Sequence, residues 1–314
     1  MRYKTFGKTG MQVSEMALGT WGIGGAGWDD NPAEVRMDAI RAAYESGINF
    51  IDTAPAYNAG AAERCIGEAL KDLGIRREML ITTKCGNEFI NGQYVRCGSA
   101  EKILRECEES LRNLQTDYID LYLVHWPDPN VPMEETMEAV ARLKKEGKIL
   151  HAGVSNFTKD QIMEASKYCE VEAFQPQYSM IVRDNEDLMK WACAQGIGIM
   201  AYGTLGGGIL TGAYRQLRTY DTMDNRNRFY KHFQEPMFSR VQAFLKVLDG
   251  ISEARGGVPL SQITMNWSLS RDFISSCIIG CQSRAKVEQN CRAFDWSLTQ
   301  EEIDLIDRAI EQWL

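Results

Sequence analysis

From the N-terminus almost to the end, short apolar runs alternate with longer stretches in which apolar positions recur every three or four residues. The short runs read as strands at residues 16–19, 49–52, 80–84, 119–125, 152–156, 173–176, 197–202 and 274–280. The stretches between them carry helical spacing, as in Ile103, Leu104, Cys107 and Leu111, or Met133, Met137, Val140 and Ala141. Largely apolar strands separated by helices imply parallel pairing with both sheet faces covered. Eight such repeats favour an α/β fold of the closed (β/α)8 TIM barrel type over an open doubly wound sheet. Residues 3–13, with Gly7-Lys8-Thr9-Gly10 as a turn, predict an N-terminal β-hairpin that plugs the barrel floor. A long loop rich in Gly, Arg and Asn, residues 205–235, follows strand 7.

Length changes the picture little. At about 150 residues per domain, 314 residues suggest two, but α/β barrels of about 250 residues form one. No Pro/Ser-rich linker divides the chain, so one domain over residues 1–314 is expected. Composition, 44% apolar and 25% charged, is that of a soluble globular protein. A net charge of −8 argues against nucleic-acid binding, which depends on Lys and Arg neutralising phosphates. The nine cysteines are odd in number and form no C-x-x-C pair, and no apolar secretory segment follows Met1-Arg2-Tyr3-Lys4. Reduced thiols and a cytoplasmic location are expected. The uncharged stretch from Trp191 to Tyr214 is long enough to raise the question of a membrane span. Its seven glycines favour a buried strand running into a glycine-rich loop, so no membrane is expected as a partner. With three histidines, His125, His151 and His232, a zinc site is not expected, and no metal is assigned.

Barrel active sites sit at the C-terminal strand ends. The second strand ends on Asp52, the third on Lys84 and the fourth on His125, each about one β-α unit from the next, so the three share one rim. Tyr57 follows Asp52 in the adjoining loop. A buried Lys84 needs a partner, which Asp52 supplies, and the Lys84 charge would draw the Tyr57 phenol below its ordinary pKa of about 10. That combination suits general-acid chemistry on a carbonyl. A lysine near an acid and a tyrosine also suits a Schiff-base aldolase with Lys84 as nucleophile.

The runs Asp52-Thr53-Ala54-Pro55-Ala56-Tyr57, Thr83-Lys84, Asp117 to Asp128 with Leu121-Tyr122-Leu123-Val124-His125-Trp126-Pro127, and Gly153-Val154-Ser155-Asn156-Phe157 resemble those of the aldo-keto reductase superfamily. The resemblance runs from the first strand to about Asn290. It implies an oxidoreductase that reduces aldehydes or ketones, small carbonyls or sugars, with a nicotinamide cofactor. It implies Tyr57 as proton donor, Lys84 and Asp52 behind it, and His125 orienting the substrate carbonyl. It also implies that Ser155, Asn156 and Gln175 bind the nicotinamide carboxamide and that Tyr202 stacks on the ring.

By the same resemblance, Gly203, Leu205, Gly206 and Gly208 after the seventh strand bind cofactor. So do Gly280, Gln282, Ser283, Arg284, Lys286, Gln289 and Asn290 after the eighth. Gln289 stands where the family usually has Glu, which weakens one expected adenine contact. Arg284 and Lys286 are the candidates for a 2′-phosphate, favouring NADP, with NAD as the alternative. Trp21 and Trp126, with Phe89 and Tyr94, are candidates to line the substrate pocket. Gly22-Ile23-Gly24-Gly25-Ala26-Gly27 lacks the acidic partner of a dinucleotide fingerprint and reads as a loop at the pocket mouth. A cofactor-binding regulatory subunit of the same fold, like the potassium-channel β subunits, is the reading outside enzymology.

Overall fold

The computed structural model describes residues 1–25, 31–90, 93–219 and 224–314, without the side chains of Phe89 and Asn227. Two short strands, β1 (Tyr3–Thr5) and β2 (Gln12–Ser14), form the N-terminal antiparallel hairpin. Then come β3 (Met16–Gly19), α1 (Ala33–Glu45), β4 (Phe50–Asp52), α2 (Ala61–Leu73) and β5 (Leu80–Cys85). A second antiparallel hairpin, β6 (Asn87–Ile90) and β7 (Gln93–Arg96), precedes α3 (Ala100–Leu114). The chain continues through β8 (Ile119–Val124), α4 (Met133–Lys145), β9 (Ile149–Ser155), α5 (Lys159–Ala165), β10 (Ala173–Gln175), α6 (Glu186–Ala194) and β11 (Gly198–Ala201). It ends with α7 (Asn225–Phe229), α8 (Met237–Ala254), α9 (Leu260–Leu269), β12 (Ser276–Gly280), α10 (Arg284–Cys291) and α11 (Gln300–Trp313).

Eight parallel strands close into a barrel in the order β3-β4-β5-β8-β9-β10-β11-β12, with β12 returning to β3 through the pairs Ile279↔Leu18 and Gly280↔Gly19. The eight apolar runs are these eight strands. Residues of one strand alternate between two cores. Phe6, Ala17, Phe50, Leu121, Leu123, Ala173 and Met200 fill the barrel interior, whereas Leu18, Ile51, Ile81, Tyr122 and Val124 pack outward against the helices. The helical spacing reappears there, since Ile103, Cys107 and Leu111 of α3 and Met137 and Val140 of α4 are all buried.

The floor is closed as expected. Phe6 lies edge-on to Phe50 at 5.7 Å, and a Cβ on Gly198 would come within 2.6 Å of the Phe6 ring. The backbone of Lys8 donates to Gly196 O at 2.8 Å, tying the hairpin turn to the start of β11. All nine cysteines are thiols. Among the described residues no helix is long and apolar enough to cross a membrane, and Trp191–Tyr214 is the end of α6, β11 and a 3-10 segment.

The segment after β11 departs from the expected loop. It holds 3-10 turns at Gly206–Thr211 and Lys231–Phe233 and the short helix α7. His232 is buried within it, with Nε2 2.8 Å from Gly206 O, and His151 on β9 sits 2.8 Å from a Glu172 oxygen, so both are structural. Ala26 and Gly27 of the glycine-rich run, and the Phe89 side chain, lie outside the described residues.

Candidate active site

The C-terminal strand ends surround a cavity of about 540 Å3, within the usual size of a ligand site. Its base is built on Lys84, wholly buried at the end of β5. Lys84 Nζ contacts both Asp52 carboxylate oxygens at 2.8 and 2.9 Å, Thr53 O at 2.8 Å and the Tyr57 hydroxyl at 3.2 Å. Gln175 donates its amide to Asp52 Oδ1 at 2.7 Å, so the carboxylate carries two partners. Such satisfaction is what permits a charged pair to be buried at all. Burial lowers the Lys84 pKa and raises that of Asp52, while their mutual attraction opposes both shifts.

The Tyr57 phenol behaves differently from the sequence-based expectation. Burial and the Asp52 charge raise it well above 10. The Lys84 charge is largely cancelled by its own bidentate partner, so it does not draw the phenol down. Tyr57 therefore stays protonated, the form a proton donor requires. His125 faces it edge-on, ring centroids 6.3 Å apart, and burial together with the Lys84 charge lowers the imidazole pKa well below 6.5. An uncharged phenol and an uncharged imidazole thus border the same space.

Asn156, at φ +62°, closes the neighbouring side. Its amide donates to His125 O and Ser155 Oγ, both at 3.0 Å, and its oxygen accepts from the Tyr202 hydroxyl at 2.7 Å. Ser155 in turn donates to Gln175 O at 2.8 Å. Ser155, Asn156, Gln175 and Tyr202 are therefore brought together in one hydrogen-bonded chain that ends on Asp52.

Trp21 stacks on Tyr57 at 6.0 Å, and Trp126 follows His125 at the rim, so both pocket candidates border the cavity. Tyr94 does as well. Gly203, Leu205, Gly208, Gly280, Gln282, Lys286, Gln289 and Asn290 line its other side. Gly206 sits just behind, accepting from His232. Ser283 precedes α10 and does not border the cavity, and neither does Arg284. Arg284 is engaged with Asp38 at 2.8 Å, Glu45 at 2.6 Å and Glu288 at 3.5 Å.

Sequence reasoning missed Asn87, Arg96, Arg226, Phe229 and Tyr230, which all border the cavity. The adjacent aromatics Phe229-Tyr230 in a polar insertion were the available signal. Tyr230 and Tyr214 press on the glycine turn: a Cβ on Gly207 would lie 2.7 Å from the Tyr230 ring, and one on Gly208 3.0 Å from Tyr214. Both glycines hold positive φ, +63° and +97°. Nothing lies within 4 Å of where a Gly280 Cβ would stand. Backbone open at Gly280, backbone held tight at Gly207 and Lys286 lining the same cavity fit a phosphate-bearing nucleotide. Among the described residues no group of three or more His, Cys, Asp or Glu comes together that would hold a metal ion.

A closed (β/α)8 barrel whose strand ends carry a Tyr-Lys-Asp-His constellation defines the class of protein. The model of the Aldo/keto reductase family matches residues 15–311, and the chain belongs to this family. It is 35% identical to aldo-keto reductase YhdN of Bacillus subtilis, covering 99% of this chain and 94% of that protein. It is 32% identical to the NADH-specific methylglyoxal reductase of Escherichia coli over 99% of both chains. Among solved structures, the glycerol dehydrogenase of Gluconobacter oxydans superposes with a TM-score of 0.88 at 30% identity, covering 100% of this chain and 95% of that one.

Proposed function

We propose that the protein reduces small aldehydes, ketones or sugars to alcohols with a nicotinamide cofactor, Tyr57 donating the proton. The observation that carries this reading is the chain Tyr57–Lys84–Asp52, each link within hydrogen-bond distance, at the cavity wall beside a neutral His125. When bound, the cofactor supplies the hydride. Tyr57 protonates the carbonyl oxygen that His125 orients, and Lys84 and Asp52 hold the phenol in place. Ser155, Asn156 and Gln175 meet the carboxamide and Tyr202 the ring face. Gly203, Leu205, Gly206, Gly208, Gly280, Gln282, Gln289 and Asn290 hold the rest of the nucleotide. The Schiff-base reading gains no support, because Lys84 is wholly covered and already faces four oxygens.

The test is cofactor oxidation over a panel of aldehydes, ketones and sugars, with Tyr57→Phe in parallel. The variant should lose a factor of about 10²–10⁴ in turnover while its cofactor affinity holds. Near-normal turnover would overturn the assignment.

For the cofactor, NADPH is proposed with Lys286 at the 2′-phosphate. Arg284 offers that phosphate nothing while Asp38 and Glu45 hold it, which favours NADH as the second reading. Lys286→Ala should lower kcat/KM with NADPH and spare NADH. Equal loss with both would assign Lys286 to another part of the nucleotide.

A further inference from the structure

The hairpin β6–β7 brings an arginine to the reacting end of the cavity. Its register pairs Asn87 with Arg96 at the root of the hairpin, directly above the end of β5. The Arg96 guanidinium lies 4.9 Å from the centre of the Trp126 ring, and Trp126 follows His125 in the chain. Arg96, Asn87 and Trp126 border the same cavity as Tyr57 and His125.

Charge makes this placement informative. The chain carries 43 acidic against 35 basic residues; Arg226, the other arginine lining the cavity, is buried and matched by Asp224, whereas Arg96 is exposed on β7. Among the described residues Arg96 has no carboxylate within salt-bridge distance. Asp52 is the sole carboxylate among the described lining residues, and Lys84 and Gln175 already occupy it. The positive charge at this end of the cavity is thus left uncompensated.

Nor does the cofactor claim it on the proposed reading. Lys286 stands on α10 after β12, and β3 and β4 lie between β12 and β5 in the barrel. Arg96 is on the far side, with the carbonyl-handling residues. Over the Trp126 ring, the guanidinium presents a fork of N–H donors that suits a carboxylate or a phosphate.

We propose that Arg96 receives an anionic head on the substrate, a carboxylate or phosphate at the far end of a short carbonyl compound. It is thereby a specificity-determining residue that favours oxo acids or phosphorylated aldehydes over neutral carbonyls. This rests on the reductase reading above. Charge-assisted, two-pronged contacts of this kind discriminate by about tenfold or more.

The test measures kcat and KM for two matched pairs, 4-oxobutanoate with butanal and glyceraldehyde 3-phosphate with glyceraldehyde, in the native protein, Arg96→Gln and Arg96→Lys. The expected result is a charged-over-neutral ratio in kcat/KM of about ten or more in at least one pair. It should collapse toward one in Arg96→Gln through KM rather than kcat, and be partly restored in Arg96→Lys. Which pair shows the ratio identifies carboxylate or phosphate. A ratio near one in the native protein, or one that Arg96→Gln leaves unchanged, overturns the role of Arg96 while butanal or glyceraldehyde is still reduced. Failure to reduce any of the four overturns the reductase reading itself, and the Arg96 proposal with it.

Discussion

Lys84 shows how a charge can be kept in a barrel core. Its four oxygen contacts stand in for water, and Asp52→Asn would leave the ammonium buried without a counter-charge. That change should cost about 3–5 kcal/mol, read as a fall in the urea midpoint, besides disturbing the Tyr57 position. The two neutral groups beside it set the pH behaviour. A His125 pKa well below 6.5 keeps the imidazole uncharged through neutrality, and a Tyr57 pKa well above 10 keeps the phenol protonated. The reductive kcat/KM should therefore be flat between about pH 6 and 9, and a break near 6.5 would show that His125 charges in the working enzyme. Far from the site, Glu172 accepts from Lys144, His151 and the Ala152 backbone, and together these hold its carboxyl down to about 2 against the cost of burial. With a folded value below the unfolded one, this stabilisation is complete above about pH 5 and is lost as pH falls toward 2. Glu172→Gln should lower stability at pH 7 by about 2–3 kcal/mol and flatten the acid limb of a Tm-against-pH curve. At this scale Asp52, Lys84 and His125 are legible in the sequence because each ends an apolar run. The direction of the Tyr57 shift is not, because it depends first on how deeply the phenol is buried and then on the Asp52 charge beside it, which only coordinates reveal.

Elements with a buried face announce themselves and elements without one do not. The eight barrel strands and helices α3 and α4 carry periodic apolar positions, and each is where the pattern puts it. Strand β7 is exposed along its whole length, so no alternation marks Gln93-Tyr94-Val95-Arg96 as a strand, and Arg96 escapes notice with it. Helix α7 has the sequence Asn-Arg-Asn-Arg-Phe, five residues without an apolar stripe. The glycine turn after β11 is legible as a turn, but its tightness comes from Tyr230, 23 residues downstream of Gly207. Gly207→Ala combines an unfavourable positive φ with a 2.7 Å approach to that ring. Cofactor affinity in this variant should fall about tenfold, followed by quenching of tryptophan fluorescence, as the turn moves off Tyr230.

At the scale of the whole molecule, β12 hydrogen-bonds to β3, so the first and last strands of the barrel hold each other. A break anywhere in the ring costs pairing on two sides. One cooperative unfolding transition is therefore expected in calorimetry, shifted upward by cofactor according to about 2.7 kcal/mol at a hundredfold excess over Kd. The barrel shape is legible from eight repeats, whereas the 3-10 turns and α7 that follow β11 among the described residues are not. The sealed floor bears on proton traffic. Phe6, Phe50 and Met200 are fully buried in the barrel interior, and Lys84 itself has no exposed surface. On the proposed chemistry, a loaded barrel then works as a single-shot proton source: Tyr57, which borders the open cavity while Lys84 behind it is covered, is recharged through the mouth, in the interval after one product leaves and before the next carbonyl arrives.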